Sequence, residues 1–198
     1  MLLKSSLITF FMVNFFKEYV LNQKTTGAIC PSSSHLADAM ASNELLSAGC
    51  VVELGPGTGA ITKKILTKIP HGCTFFTLEI NPVFSAKLKE KFPGTIVYSD
   101  SAENIYKYLQ KHNLQQCDAV ISSLPWTFFN QQTQKQIFTS IYNSLAAEGK
   151  MVTYSYLHGL IFPSGKKFQK LLNQHFSNIK KNIIWKNLPP AIVYECKK

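Results

Sequence analysis

Arginine is missing from this chain: all 21 basic residues among its 198 are lysine, and the net charge is +10. Arginine is the planar fork that reads bases and phosphates two bonds at a time, whereas lysine is a hydrated point charge. Its absence favours diffuse attraction to an anionic surface over specific nucleic-acid readout. Cysteine is sparse and unpatterned. Cys30, Cys50, Cys73, Cys117 and Cys196 are odd in number and lack metal-like spacing, so neither a disulfide framework nor a metal site is expected. They read as reduced core thiols of a cytosolic protein, with Cys50, Cys73 and Cys117 opening apolar runs. A long hydrophobic run is lacking too. Residues 1–21, MLLKSSLITFFMVNFFKEYVL, are interrupted by Ser5, Ser6, Thr9 and Asn14, while a spanning helix needs about 20 nearly uninterrupted apolar residues. No small-x-small cleavage site follows, and the polar residues fall on more than one side of a helical wheel. The expectation is a helix that leans on a bilayer or on its own domain. Acid is scarce towards the C-terminus. Residues 150–198 hold nine lysines against Glu195 alone, together with Phe162, Phe168, Phe176 and Trp185. Such a mixture suits a membrane interface and also an RNA groove.

What is present is an alternation. Apolar β-rich runs at 50–54, 73–79, 95–99, 117–122 and 150–156 are separated by helix-like stretches at 60–69, 82–92, 102–112 and 131–146. Gly149 is read as the stop of the last of these. Strands alternating with such helices predict βαβ units and a parallel sheet buried on both faces. A further helix at 163–175 precedes strands at 180–185 and 191–196, which are joined by so short a loop that the seventh strand is expected to be antiparallel. Ser32–Ser34 can cap a helix running to about Leu46. The reading is an α/β fold with a seven-stranded, mostly parallel sheet and helices on both faces. Residues 1–48 form an N-terminal helical segment, and 49–198 form the sheet-bearing domain.

The strongest signal is VVELGPGTGAIT at 51–62: a buried strand ending in the acid Glu53, then Gly55, Gly57 and Gly59, then a helix. In open α/β sheets ligands sit beyond the carboxyl ends of the strands. The dinucleotide fingerprint needs its third glycine later, and a P-loop needs G-K-[ST]; neither is met. The pattern resembles that of the Rossmann-like class I S-adenosylmethionine-dependent methyltransferases, in which this motif cradles the methionine end of the cofactor. The resemblance recurs at successive strand ends. In LEIN, Glu79 stands where that family binds both ribose hydroxyls, a task suited to a carboxylate because it only accepts; Ile80 follows it. In SDSAEN, Asp100 matches the acid that takes the adenine amino proton, with Ser101 beside it. The resemblance thus implies S-adenosylmethionine as cofactor, held by Glu53, Gly55, Gly57, Thr58, Gly59, Glu79, Ile80, Asp100, Ser101 and Ser122.

The fourth strand ends in ISSLPW (121–126), where the family positions its methyl acceptor. Exocyclic-amine methyltransferases place an Asn or Asp there to accept the N–H bonds of a nitrogen whose lone pair is delocalised. An alkyl amine needs desolvation, alignment and a route for its proton instead. The missing Asn argues for a saturated amine, unless backbone carbonyls around 122–124 replace it. The chain is similar to the soluble bacterial phospholipid N-methyltransferases, which convert phosphatidylethanolamine towards phosphatidylcholine. The likeness rests on TTGAICPSSSHLADAM (25–40), the first motif, ISSLPW, MVTYSYLHG (151–159) and NLPPAIV (187–193). It implies an N-terminal segment that touches membrane and covers the cofactor. The runner-up resemblance is to the rRNA adenine dimethyltransferases. They read N-L-P-Y at strand four and continue into a helical RNA-binding domain, whereas here the seventh strand is expected to end two residues before Lys198. Trp126, Tyr154, Tyr156 and His158 are the candidate acceptor-positioning residues, the first three as an aromatic cage for an alkylammonium, while His158, a tyrosine hydroxyl or a water chain is left to take its proton. One of the pair Tyr154 and Tyr156 is expected to point away. Lys166, Lys167, Lys170, Lys180 and Lys181 would draw anionic lipid. The expected partners are a phospholipid surface and the cofactor, with no nucleic acid. The expected state is a monomer on the inner face of the membrane.

Overall fold

The computed structural model describes residues 33–198. The helix expected over residues 1–21, and Cys30, lie outside them. Strands β1 (Cys50–Leu54), β2 (Thr74–Leu78), β3 (Ile96–Tyr98), β4 (Cys117–Ser122), β5 (Leu145–Tyr156), β6 (Asn178–Ile184) and β7 (Ala191–Lys197) form one sheet in the order β3-β2-β1-β4-β5-β7-β6. The first five are mutually parallel, and β7 runs antiparallel to both β5 and β6. The helices are α1 (Ser34–Met40), α2 (Ala60–Leu66), α3 (Pro82–Lys91), α4 (Ile105–Lys111), α5 (Gln131–Ser144) and α6 (Pro163–His175). The order of the strands reverses between β1 and β4, and in such sheets the ligand crevice lies beyond the carboxyl ends at that reversal.

The strands are buried on both faces because alternate residues serve different helices. Val52, Leu54 and Val120 pack with Ile105, Ile137, Phe138, Phe168 and Leu172 of α4, α5 and α6. Val51, Ile121, Val152 and Val193 pack with Leu36 and Met40 of α1 and Ile61 and Ile65 of α2. Leu45 and Ala48 belong to this second cluster as well, so residues 34–48 share the core of the sheet domain. Asn81 caps α3 by accepting from Val83 N at 2.9 Å, with Pro82 next, which sets the helix start immediately after the Glu79 loop.

Gly149 is not a helix stop. Helix α5 ends at Ser144 and β5 begins at the next residue. A Cβ on Gly149 would lie 3.0 Å from the Ala146 backbone and 3.1 Å from the Cys117 carbonyl, so the residue marks a close crossing of two backbones beside a register shift in the β4–β5 pairing. Cys50, Cys117 and Cys196 are buried free thiols, and Cys73 is half-buried; burial pushes the Cys50 thiol up to about 12.

Candidate active site

The glycine loop after β1 takes its shape from local geometry. Gly57 has φ +55° and a Cβ there would meet nothing within 4 Å, so its backbone faces open space. Gly59 has φ +78°, and a Cβ there would come within 2.4 Å of the Phe92 ring. The first glycine lets a ligand approach; the second lets α2 close against the end of α3. Gly55 N donates to Leu78 O at 2.9 Å, tying the loop to β2. Thr58 is exposed, and its carbonyl accepts from Lys91 Nζ at 2.8 Å.

Two acids bracket this loop. Glu53 is fully buried; its Oε2 accepts from Thr62 Oγ1 at 2.7 Å, while Oε1 has no partner. Burial raises the Glu53 carboxyl from 4.5 to about 8, against the Thr62 hydrogen bond that lowers it. Glu79 is buried at the end of β2. Its Oε2 accepts from Gly57 N at 3.0 Å and its Oε1 from Asn81 N at 2.8 Å. Each oxygen keeps a lone pair for a further donor. Ile80 beside it is 73% exposed, an apolar side chain with no cover of its own. The orphaned oxygen of Glu53, the open backbone at Gly57 and the half-used carboxylate of Glu79 together fit a ligand with a cationic end and a diol.

The Glu53 shift has a measurable sign. Between about 4.5 and 8 the unfolded chain loses a proton that the folded chain keeps, so stability is greatest at the acid end and falls as pH rises through that window. Thermal melts of the ligand-free protein are expected to show this decline. Glu53→Gln should flatten it; an unchanged slope in that variant would put the titration elsewhere.

Asp100 is committed within the protein. Ser101 N (2.7 Å) and Asn104 Nδ2 (2.8 Å) donate to Oδ1, and Tyr108 Oη (2.7 Å) and Lys107 Nζ (3.1 Å) donate to Oδ2. The Tyr108 hydroxyl and the other donors hold its carboxyl well below the usual range. A carboxylate has about four acceptor sites, so an adenine amino group would have to displace one of these donors. The exposed Lys107 is the outermost of them.

At the end of β4 the structure corrects the reading of Trp126. The ring is 1% exposed, stacked on Phe168 at 4.5 Å, and its Nε1 donates to Thr153 Oγ1 at 2.9 Å. It packs the core beneath the site and lines no slot. Thr153 Oγ1 in turn donates to Ser122 O at 3.0 Å. The hydroxyls of Ser122 and Ser123 are buried without partners, which leaves them as the side-chain polar groups the strand end offers. Gln134, unmarked in the sequence reading, is buried and donates to Trp126 O at 2.7 Å and Ser164 O at 3.1 Å. Its signal was a polar residue on the apolar stripe with Ile137, Phe138 and Ile141.

Tyr154 and Tyr156 do not diverge. They are two residues apart, and side chains at that spacing share a face of a strand; their rings meet edge-on at 5.6 Å. His158 continues the row, stacked on Tyr156 at 5.7 Å and exposed. Pairing of Glu53 with Ile121 and of Ile121 with Val152 puts Tyr154 and Tyr156 on the same side of the sheet as Glu53, at its carboxyl edge.

No protein-family model matches the chain. It is 29% identical over 191 residues to the ornithine lipid N-methyltransferase of Singulisphaera acidiphila, with 94% of each chain covered. Among solved structures it matches an O-methyltransferase from Bacillus cereus in complex with SAH (TM-score 0.66, 10% identity, 94% of this chain and 90% of that one). It also matches a Clostridium thermocellum protein provisionally named an rRNA-methylase (TM-score 0.63, 17% identity, 86% and 97%). At such identities the structural likenesses show the fold, and their named acceptors differ. S-adenosylmethionine, whose product SAH is held in the Bacillus cereus structure, has the cationic sulfonium and ribose diol that the site fits.

Proposed function

We propose that this chain, a class I S-adenosylmethionine-dependent methyltransferase that resembles the lipid N-methyltransferases, methylates the saturated amine of a membrane-lipid headgroup. The observation that carries the reading is the end of β4. It carries two partnerless serine hydroxyls and no carboxamide or carboxylate, and Trp126 is turned into the core, so a flat nucleobase finds neither an amide-type acceptor for its N–H bonds nor the Trp126 ring to stack on. A tetrahedral amine needs neither.

When bound, S-adenosylmethionine supplies an electrophilic methyl group on a sulfonium. Glu79 would hold its ribose hydroxyls, and the orphaned Glu53 oxygen would face its charged end. The rings of Tyr154 and Tyr156 would hold an alkylammonium by cation–π contact, in a manner that tolerates successive methyl groups. The amine reacts only once it has lost its proton, and exposed His158, stacked on Tyr156, offers a path from that edge to solvent.

Phosphatidylethanolamine, methylated towards phosphatidylcholine, is the acceptor proposed. An ornithine-bearing lipid is a second reading, favoured by the relative that matches across nearly the whole chain. The expected result with labelled cofactor is label in one of these two lipids and none in ribosomal RNA; label in RNA alone would sink the proposal. The enzyme is proposed to act from the inner face of the membrane. Among the described residues no helix is long and apolar enough to cross one.

A further inference from the structure

Ten large hydrophobic side chains among the described residues are exposed, and the four most exposed are Leu188 (79%), Ile80 (73%), Ile161 (72%) and Trp185 (70%). They come from three separate segments, yet the topology brings all four to one edge of the sheet. Ile80 follows the carboxyl end of β2. Ile161 closes the turn that follows β5. Trp185 and Leu188 lie in the β6–β7 connection, which arrives at the same edge because Ala191 pairs with Tyr156 and Leu157 N donates to Pro190 O at 3.0 Å. This is the edge that carries Glu53, Glu79 and the tyrosine row.

We propose that the 157–163 turn and the 185–190 loop form the surface by which the enzyme docks on an anionic bilayer, with its open edge against the headgroups. The choice of a bilayer as occupant rests on the lipid-amine reading above. Charge complementarity supports it: residues 157–190 contain six lysines and no acid. Lys186 lies between the two apolar tips of the β6–β7 loop, and Lys166 and Lys167 are exposed in the first turns of α6, just beyond Ile161. Indole rings settle at headgroup level, aliphatic side chains reach below it, and lysines take the anionic lipids. Of the lysines expected to draw anionic lipid, Lys180 stands 3.7 Å from Glu195, back along the sheet from this rim.

The loop is braced from within. Asn187 between Trp185 and Leu188 is buried, accepts from Ser33 N at 3.0 Å and donates to Pro189 O at 2.7 Å. A braced loop that presents its apolar side chains to water loses little conformational freedom on docking, which favours binding. Docked this way, the enzyme would receive the amine without lifting the lipid out of its leaflet.

The test uses the full chain and the W185S/L188S double variant, sedimented with vesicles of phosphatidylethanolamine and phosphatidylglycerol. The native chain is expected to bind, more weakly as salt rises, and Trp185 emission should shift to the blue. The double variant should bind these vesicles about tenfold more weakly or worse, given the loss of two buried apolar side chains. Its cofactor affinity, its melting temperature and its transfer to detergent-dispersed lipid should match the native chain. Undiminished vesicle binding by the variant, or no emission shift in the native chain, overturns the proposal. So does a change in oligomeric state confined to the variant, which would make the patch a contact between copies. Docking is read here without catalysis, so label that goes to RNA while Trp185 still docks would count against the lipid-amine reading and leave the surface standing.

Discussion

Trp126→Ala is expected to destabilise the chain by ~3–5 kcal/mol, the range for emptying a buried aromatic site. The residue is 1% exposed and stacked face to face on Phe168, and its indole nitrogen donates to Thr153. Truncation leaves a cavity between β5 and α6 and strips Thr153 Oγ1 of a donor. Trp126→Phe keeps most of the volume and should lose ~1 kcal/mol, about the value of the missing hydrogen bond. Urea titration measures both. If alanine instead left the midpoint unchanged and lowered only turnover, the ring would belong to the acceptor site after all.

Glu79→Ala is expected to weaken S-adenosylmethionine binding by ~2 kcal/mol or more, roughly thirtyfold, because hydrogen bonds to a carboxylate are the strong kind. The loss has two sources. The carboxylate would accept from the ligand, and it already accepts from Gly57 N and Asn81 N, which fix the glycine loop and the start of α3. Glu79→Gln keeps one oxygen acceptor and should fall between the two. Calorimetric titration decides the matter: unchanged affinity in the alanine variant means the ribose is held elsewhere. A fall in melting temperature alone would assign Glu79 to the loop and not to the ligand.

The alternation of apolar runs and helix-like stretches, with Glu53, Gly55, Gly57 and Glu79 at strand ends, was readable before any coordinates. Each of these signals is local. Glycine where φ must be positive, a carboxylate after a buried strand and a proline opening a helix are dictated by a few neighbouring residues. The antiparallel β7 was readable for the same reason, since the short 185–190 connection leaves room for nothing but a reversal.

Other features depended on which distant element came to lie alongside. Trp126 could be assigned to a slot or to the core with equal logic until α6 brought Phe168 against it. Asp100 could be free for a ligand until the first turns of α4 delivered Tyr108 and Lys107 to its oxygens. The contact between Asn187 and Ser33 joins residues 154 positions apart, and no spacing rule reaches that far. The sequence by itself determined the sheet, the glycine loop and the acids at its rim, because backbone sterics and alternation act over a few residues. Only the tertiary structure decided which aromatics are core and which apolar tips reach water, because burial depends on the whole packed assembly.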